Sequence, residues 1–215
     1  MLKIKAFALN MLHTNCYVLS DASREAVVVD CGAFFDEEFA EIETYIREEG
    51  LYLKHHLLTH GHFDHCFGAW WIQEHYGLSP EVSQTDAETY RLQPVQIQLF
   101  MHRAIPLQQP ALGPVFNEGD HFSFGTHTLQ VIATPGHTPG GVCFYEPDEG
   151  VLLSGDSLFR GSIGRCDLPG SDAEALPRAL REKILTLPPE TRVLPGHGPA
   201  TTVAYERDYN PYLCR

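Results

Sequence analysis

Four times in this chain a short apolar run stops at a turn that opens with histidine or aspartate: HLLTHGHFDH, LQVIATPGHTPG, GVLLSGDSLF and TRVLPGHGP. In layered α/β proteins ligand-binding residues collect on loops at strand ends, where a rigid scaffold can hold them together. Seven side chains result: His60, His62, Asp64, His65, His137, Asp156 and His197. If they act together, the fold must bring four strand ends to one edge.

The rest of the chain suits that demand. KIKAFAL (3–9), CYVLS (16–20), EAVVVDCG (25–32) and HHLLTH (55–60) read as strands, the third ending in a Cys-Gly turn. DEEFAEIETYIREEG (36–50) sets Phe39, Ile42, Tyr45 and Ile46 at helical spacing, with acids in its first turn and Gly50 as its stop. A second helix is expected over 66–76. From about Asp86 to Pro114 the chain is Gln-rich and punctuated by Pro94, Pro106, Pro110 and Pro114, which predicts a helix followed by an irregular loop. Strands follow at 121–124, 126–136, 140–147 and 150–156, then a helix over 172–185 with Asp172 at its cap, then a strand over 192–198. No low-complexity linker or short repeat interrupts residues 1–215. The expectation is one α/β domain built in layers.

Composition narrows the partners. A formal net charge of −13 with no Lys/Arg cluster argues against nucleic acid. No apolar run approaches the roughly eighteen residues of a membrane span, and the first thirty residues lack the parts of a leader, so a cytoplasmic protein is expected. Cys16, Cys31, Cys66, Cys143, Cys166 and Cys214 form no CxxC pair, which favours reduced thiols over a disulfide framework.

The chemistry follows from residue type and spacing. If the backbone stays extended past Thr59, His60 and His62 point to one side and can grip one ion. Asp64 and His65 are immediate neighbours and diverge, so they can serve a second. Imidazoles with a few carboxylates suit zinc, iron or nickel better than calcium or magnesium. Five histidines and two aspartates exceed one tetrahedral site, and two divalent ions sharing Asp156 account for the number. Gly61, Gly136, Gly155 and Gly196 beside the ligands permit tight turns. His13, His55, His56, His75, His102, His121 and His127 lack that context; His56 is the nearest of them to the ligands.

THGHFDH resembles the T-H-x-H-x-D-H signature of the metallo-β-lactamase superfamily, and His137, Asp156 and His197 follow in the family's order. The likeness runs from about residue 10 to the C-terminus. It implies an αβ/βα four-layer sandwich, two mixed sheets flanked by helices. It also implies one ion on His60, His62 and His137, and another on Asp64, His65 and His197, with Asp156 and a water or hydroxide between them. Zinc is the expected metal, with iron or a mixed zinc and iron pair as alternatives. True β-lactamases of the family often carry cysteine at the place of Asp156, which sets this chain apart from them.

TPGHTPGG, GDSLFRGSIGRCDLPG and PGHGPATTVAYERDYNPYL resemble the compact bacterial glyoxalase II branch, which hydrolyses glutathione thioesters such as S-lactoylglutathione. A small-molecule thioester, glutathione-linked, is the substrate so implied. Arg165 stands where the branch has a basic glutathione contact, whereas Pro199 stands where long forms have an aromatic residue. Arg160 is a second candidate for a substrate carboxylate, Asp167 is placed to orient Arg165, and Asp64 is the expected proton acceptor. Tyr145, Cys143 and Cys166 are expected to pack. Competing readings are a mononuclear-iron persulfide dioxygenase, a lactonase and a non-catalytic metal-binding module.

Overall fold

The computed structural model describes residues 1–102, 105 and 107–214. KIKAFAL forms β1 (Lys3–Leu9), antiparallel to β2 (Thr14–Ser20), which in turn pairs antiparallel with β3 (Glu25–Val29). Helix α1 (Asp36–Glu48) crosses over to β4 (Tyr52–Leu57), which lies parallel to β3, a return that requires such a crossover. These strands make one sheet in the order β1-β2-β3-β4.

Beyond β4 come a 3-10 turn at Phe63–His65, then α2 (Ala69–Tyr76), α3 (Ala87–Arg91) and α4 (Gln93–Met101). The expected second helix starts three residues later than 66, because residues 66–68 form a turn between the 3-10 segment and α2. The helix expected after Asp86 is two helices meeting at Leu92, with Pro94 in the first turn of α4, where its missing N–H costs nothing. Of the loop expected beyond α4, Pro106 lies outside the described residues, as do Arg103 and Ala104 and the final Arg215.

The second half supplies β5 (His121–Phe124), β6 (His127–Ala133), β7 (Val142–Glu146), β8 (Val151–Gly155), the short hairpin β9 (Leu158–Phe159) and β10 (Ser162–Ile163), and α5 (Ala175–Ala179). Helix α5 runs on as a π-helical turn over Leu180–Ile184, before β11 (Arg192–Pro195), β12 (Thr201–Thr202) and α6 (Val203–Tyr209). The larger sheet runs β12-β11-β8-β7-β6-β5 and is mixed, β8 and β11 being parallel and the other neighbours antiparallel.

Alternation along the strands explains the layers. Tyr17, Leu19, Val27, Val29 and Leu57 from the first sheet meet Leu129, Val131, Phe144 and Leu153 from the second in one core between them. Their sequence neighbours Cys16, Val18, Ala26 and Val28 face the other way and pack with Ile42, Ile46, Trp71 and Ile72 of α1 and α2. Cys143, Tyr145 and Leu152 likewise pack outward with Leu176, Leu180, Ile184 and Val203, and partly buried Cys166 joins them. Strands buried on both faces read as continuous apolar runs, which is how β3 and β8 look in the sequence. The molecule is the four-layer αβ/βα sandwich, and Tyr145, Cys143 and Cys166 are packing residues.

Every ligand-bearing strand is shorter than its apolar run suggests. β4 ends at Leu57, β6 at Ala133, β8 at Gly155 and β11 at Pro195, and β3 stops at Val29. The residues beyond have left the sheet ladders to form the turns that carry the histidines and aspartates. All six cysteines are unpaired.

Candidate metal centre

The chain bends at Thr59 and His60, so the extended path expected past Thr59 is not what aims the two histidines. Different ring nitrogens do it instead: His60 Nε2 stands 3.1 Å from His62 Nδ1, which is 3.0 Å from His137 Nε2. A second group forms where His65 Nε2 lies 3.5 Å and His197 Nε2 3.3 Å from Asp64 Oδ2. In each triad, His60 with His62 and His137, and Asp64 with His65 and His197, the ligand atoms all lie within 4.8 Å of one another, a spacing that can hold a metal ion.

Asp156 touches both triads. Its Oδ1 is 3.4 Å from His65 Nε2, and its Oδ2 is 3.6 Å from both His137 Nε2 and His197 Nε2. Among the described residues, His65 Nε2 and Asp156 Oδ1 are buried without a hydrogen-bond partner. Buried polar atoms of that kind are costly unless something satisfies them. Nitrogen and carboxylate donors so placed fit divalent cations of the zinc and iron type.

The far side of the rings is equally defined. His65 Nδ1 bonds Asp30 Oδ2 at 3.0 Å, His137 Nδ1 meets the Arg165 carbonyl at 2.8 Å, His197 Nδ1 the Leu12 carbonyl at 3.1 Å, and His60 Nδ1 the Thr59 hydroxyl at 3.1 Å. Fixing one ring nitrogen sets the tautomer and turns the other lone pair inward. Thr14 Oγ1 donates to Asp64 Oδ2 at 2.9 Å.

Burial, with His65 and His62 beside it, holds the His60 imidazole well below its usual range. Burial and His137 bring His62 down to about 4. Both are thereby kept in the neutral, metal-ligating form. For His65 burial opposes the charge, but Asp64, Asp156 and Asp30 outweigh it and raise the group, so a proton and a cation compete for Nε2. Burial likewise opposes the Asp156 carboxylate, and His65, His60 and His197 nevertheless hold it well below the ordinary carboxylate value.

Asp167 grips Arg165 through two bonds, Nε to Oδ1 at 2.7 Å and a terminal nitrogen to Oδ2 at 2.9 Å, and the pair is exposed. Arg160 lies instead over the Tyr205 ring, 5.3 Å from its centroid. Among the described residues neither guanidinium bonds to the seven; Arg165 joins them through its carbonyl alone. His56 is fully buried on the face of β4 opposite Leu57 and takes no part.

Two buried carboxylates around the centre escaped the sequence reading. Asp30 accepts from Thr59 N at 2.8 Å and Thr59 Oγ1 at 2.7 Å besides holding His65. It was signalled by a fifth apolar run, EAVVVD, that also ends in an aspartate before a glycine turn. Asp86 lies in the Gln-rich stretch and accepts from the amides of Gly61 and Gly140. No pattern around it announces that role.

The sequence pattern of the metallo-beta-lactamase superfamily matches residues 9–197, and the chain belongs to that superfamily. It is 34% identical to the probable metallo-hydrolase YqgX of Bacillus subtilis, covering 99% of this chain and 98% of the relative. Against the hydroxyacylglutathione hydrolase GloC of Haemophilus influenzae identity is 33%, with 99% and 98% covered. Among solved structures, the BLEG-1 B3 metallo-beta-lactamase superposes with a TM-score of 0.88 at 37% identity, over 98% of this chain and 99% of that one. TTHA1623, in a di-iron-bound form, gives 0.85 at 37% identity, over 97% and 100%.

Proposed function

We propose that the protein is a metal-dependent hydrolase of thioesters, acting on S-lactoylglutathione or a related acyl-thiol. The observation that carries the reading is the Asp156 carboxylate lying 3.4 to 3.6 Å from ligand nitrogens of both triads. His60, His62 and His137 would hold one ion, and Asp64, His65 and His197 the other. The full-length likeness to a hydroxyacylglutathione hydrolase supports the thioester as substrate. Zinc or iron suits the donors, and the di-iron relative supports iron as much as zinc.

Bound cations at such a site lower the pKa of water to near neutrality and polarise a carbonyl oxygen. Asp64, oriented by the Thr14 hydroxyl, receives the proton that the attacking water gives up as its oxygen bonds to the thioester carbon. The C–S bond then breaks and the electron pair leaves on sulfur, as a thiolate that needs little protonation. The guanidinium of Arg165, held flat by Asp167, meets a carboxylate of the thiol half through charge-assisted bonds. Arg160, on Tyr205, is a second cation along the same hairpin.

The decisive experiment is a substrate panel on protein of measured metal content: glutathione thioesters, neutral thioesters, lactones, a β-lactam and a persulfide with oxygen uptake recorded. Preferred cleavage of the glutathione thioester is expected. The β-lactam belongs there because of the likeness to BLEG-1. Oxygen uptake with one iron per chain, or preference for a lactone or β-lactam, overturns the thioester assignment.

A further inference from the structure

Asp86 is fully buried, yet no lysine, arginine or histidine pairs with it among the described residues. Moving an ionised carboxylate out of water is expensive unless donors replace the lost hydration. The donors here are specific. Asp86 Oδ2 accepts from Gly61 N at 2.6 Å and Oδ1 from Gly140 N at 3.0 Å, while Thr89 Oγ1 adds a bond to Oδ1 at 2.9 Å. Ser83, three residues earlier, donates its hydroxyl to the Gly140 carbonyl at 2.5 Å.

Those two amides belong to the two loops that build one triad. Gly61 sits between His60 and His62, after β4 of the first sheet. Gly140 ends the TPGHTPG turn that presents His137, between β6 and β7 of the second. A Cβ at Gly61 would collide with the Tyr90 amide nitrogen, and one at Gly140 with the Asp86 nitrogen and the Ser83 hydroxyl. Both loops are therefore pressed onto the 83–90 segment as closely as backbone allows. Backbone to backbone, the two are also joined by Val142 N donating to Thr59 O at 2.9 Å. That bond fixes the strand ends but not the turns beyond.

We propose that Asp86 is a positioning residue that sets the distance between the His60–His62 pair and His137, and so the metal affinity of that triad rather than of the Asp64–His65–His197 triad. It rests on the ligand assignment above. The physical reason is geometric: each carboxylate oxygen holds one loop, so the rigid carboxylate plane fixes the gap across which three nitrogens must meet. The second triad has its own support in Asp30, Thr14 and Leu12 and makes no bond to Asp86.

The test is a metal titration of Asp86→Ala and Asp86→Asn with cobalt(II), read by its absorption bands and by chelator competition, beside thermal melting. The wild type is expected to take two ions per chain. Asp86→Ala should hold one with unchanged affinity and bind the other roughly 10–100-fold more weakly, as losing an outer-sphere partner does. Asp86→Asn, which keeps one acceptor oxygen, should fall between. Asp30→Ala, which releases His65 directly and His60 through Thr59, should weaken both ions and so give a pattern distinct from Asp86→Ala. If Asp86→Ala melts lower but binds both ions as the wild type does, or weakens both equally, the positioning role is overturned. If the wild type itself binds no ion, the ligand assignment fails, and the two failures are distinct.

Discussion

At the scale of single residues, the seven side chains divide by which atom each presents. His62 turns Nδ1 inward whereas His60 and His137 turn Nε2, the far Nδ1 of His60 bonding the Thr59 hydroxyl and that of His137 the Arg165 carbonyl. Removing His62 leaves His60 and His137 facing a gap. His62→Ala is expected to lower kcat by about 100-fold or more, since even outer partners of a metal ligand cost 10–100-fold. Circular dichroism should show the fold intact, and an unchanged hydrolytic rate at full metal occupancy would remove His62 from the site. The local motif was legible because its spacing is a property of a few consecutive residues. Asp86 was not, because the two loops it joins lie 25 and 54 residues away in sequence, and the run that marks Asp30 does not name the histidine it holds, 35 residues on.

At the scale of elements, the C-terminal helix has a definite task. Glu206 of α6 is fully buried and receives bonds from Gly161 N at 3.2 and 3.0 Å, Thr201 Oγ1 at 2.6 Å and Asn210 Nδ2 at 2.7 Å. Asn210 also donates to the Ser162 carbonyl at 3.0 Å. The segment YERDYNPYL thus folds back onto the β9–β10 hairpin, the piece of chain between Asp156 and Arg165. Glu206→Ala strands those donors in the interior. It should cost about 3 kcal/mol in urea unfolding, with faster amide exchange at Gly161. Unchanged exchange there would mean that α6 does not hold the hairpin. Helix α1 was fully readable, since its acids, apolar stripe and glycine stop are local, while α3 and α4 were not separable in a stretch of glutamines and prolines.

At the scale of the molecule, acid is expected to act through groups outside the seven side chains of the centre. His56 is fully buried with neither ring nitrogen partnered among the described residues, and burial brings its pKa down to about 3. An unfolded histidine titrates near 6.5. Between those values the unfolded chain binds a proton that the folded chain does not, so stability falls as pH drops from about 6.5 toward 3. Asp21, held well below the usual carboxylate range by Ser23 and Thr126, adds stability that is complete above about pH 4 and lost only in stronger acid. In His56→Leu the slope of unfolding free energy between pH 6 and 4 should shrink by close to one proton, about 1.4 kcal/mol per pH unit. An unaltered slope in urea titrations would show that His56 does not set it.

The sequence by itself marked the alternating strands, the turns that follow them and the seven side chains on those turns, because alternation, turn chemistry and ligand spacing are written within a few residues of each other. Only the tertiary structure decided where each strand leaves its sheet, which ring nitrogens face inward, and which buried carboxylates hold the loops. Asp86 joins turns from two sheets, Asp30 serves a histidine thirty-five residues on, and Glu206 reaches back to Gly161. Such contacts depend on how two sheets pack face to face, and that packing sums the whole apolar pattern of the chain.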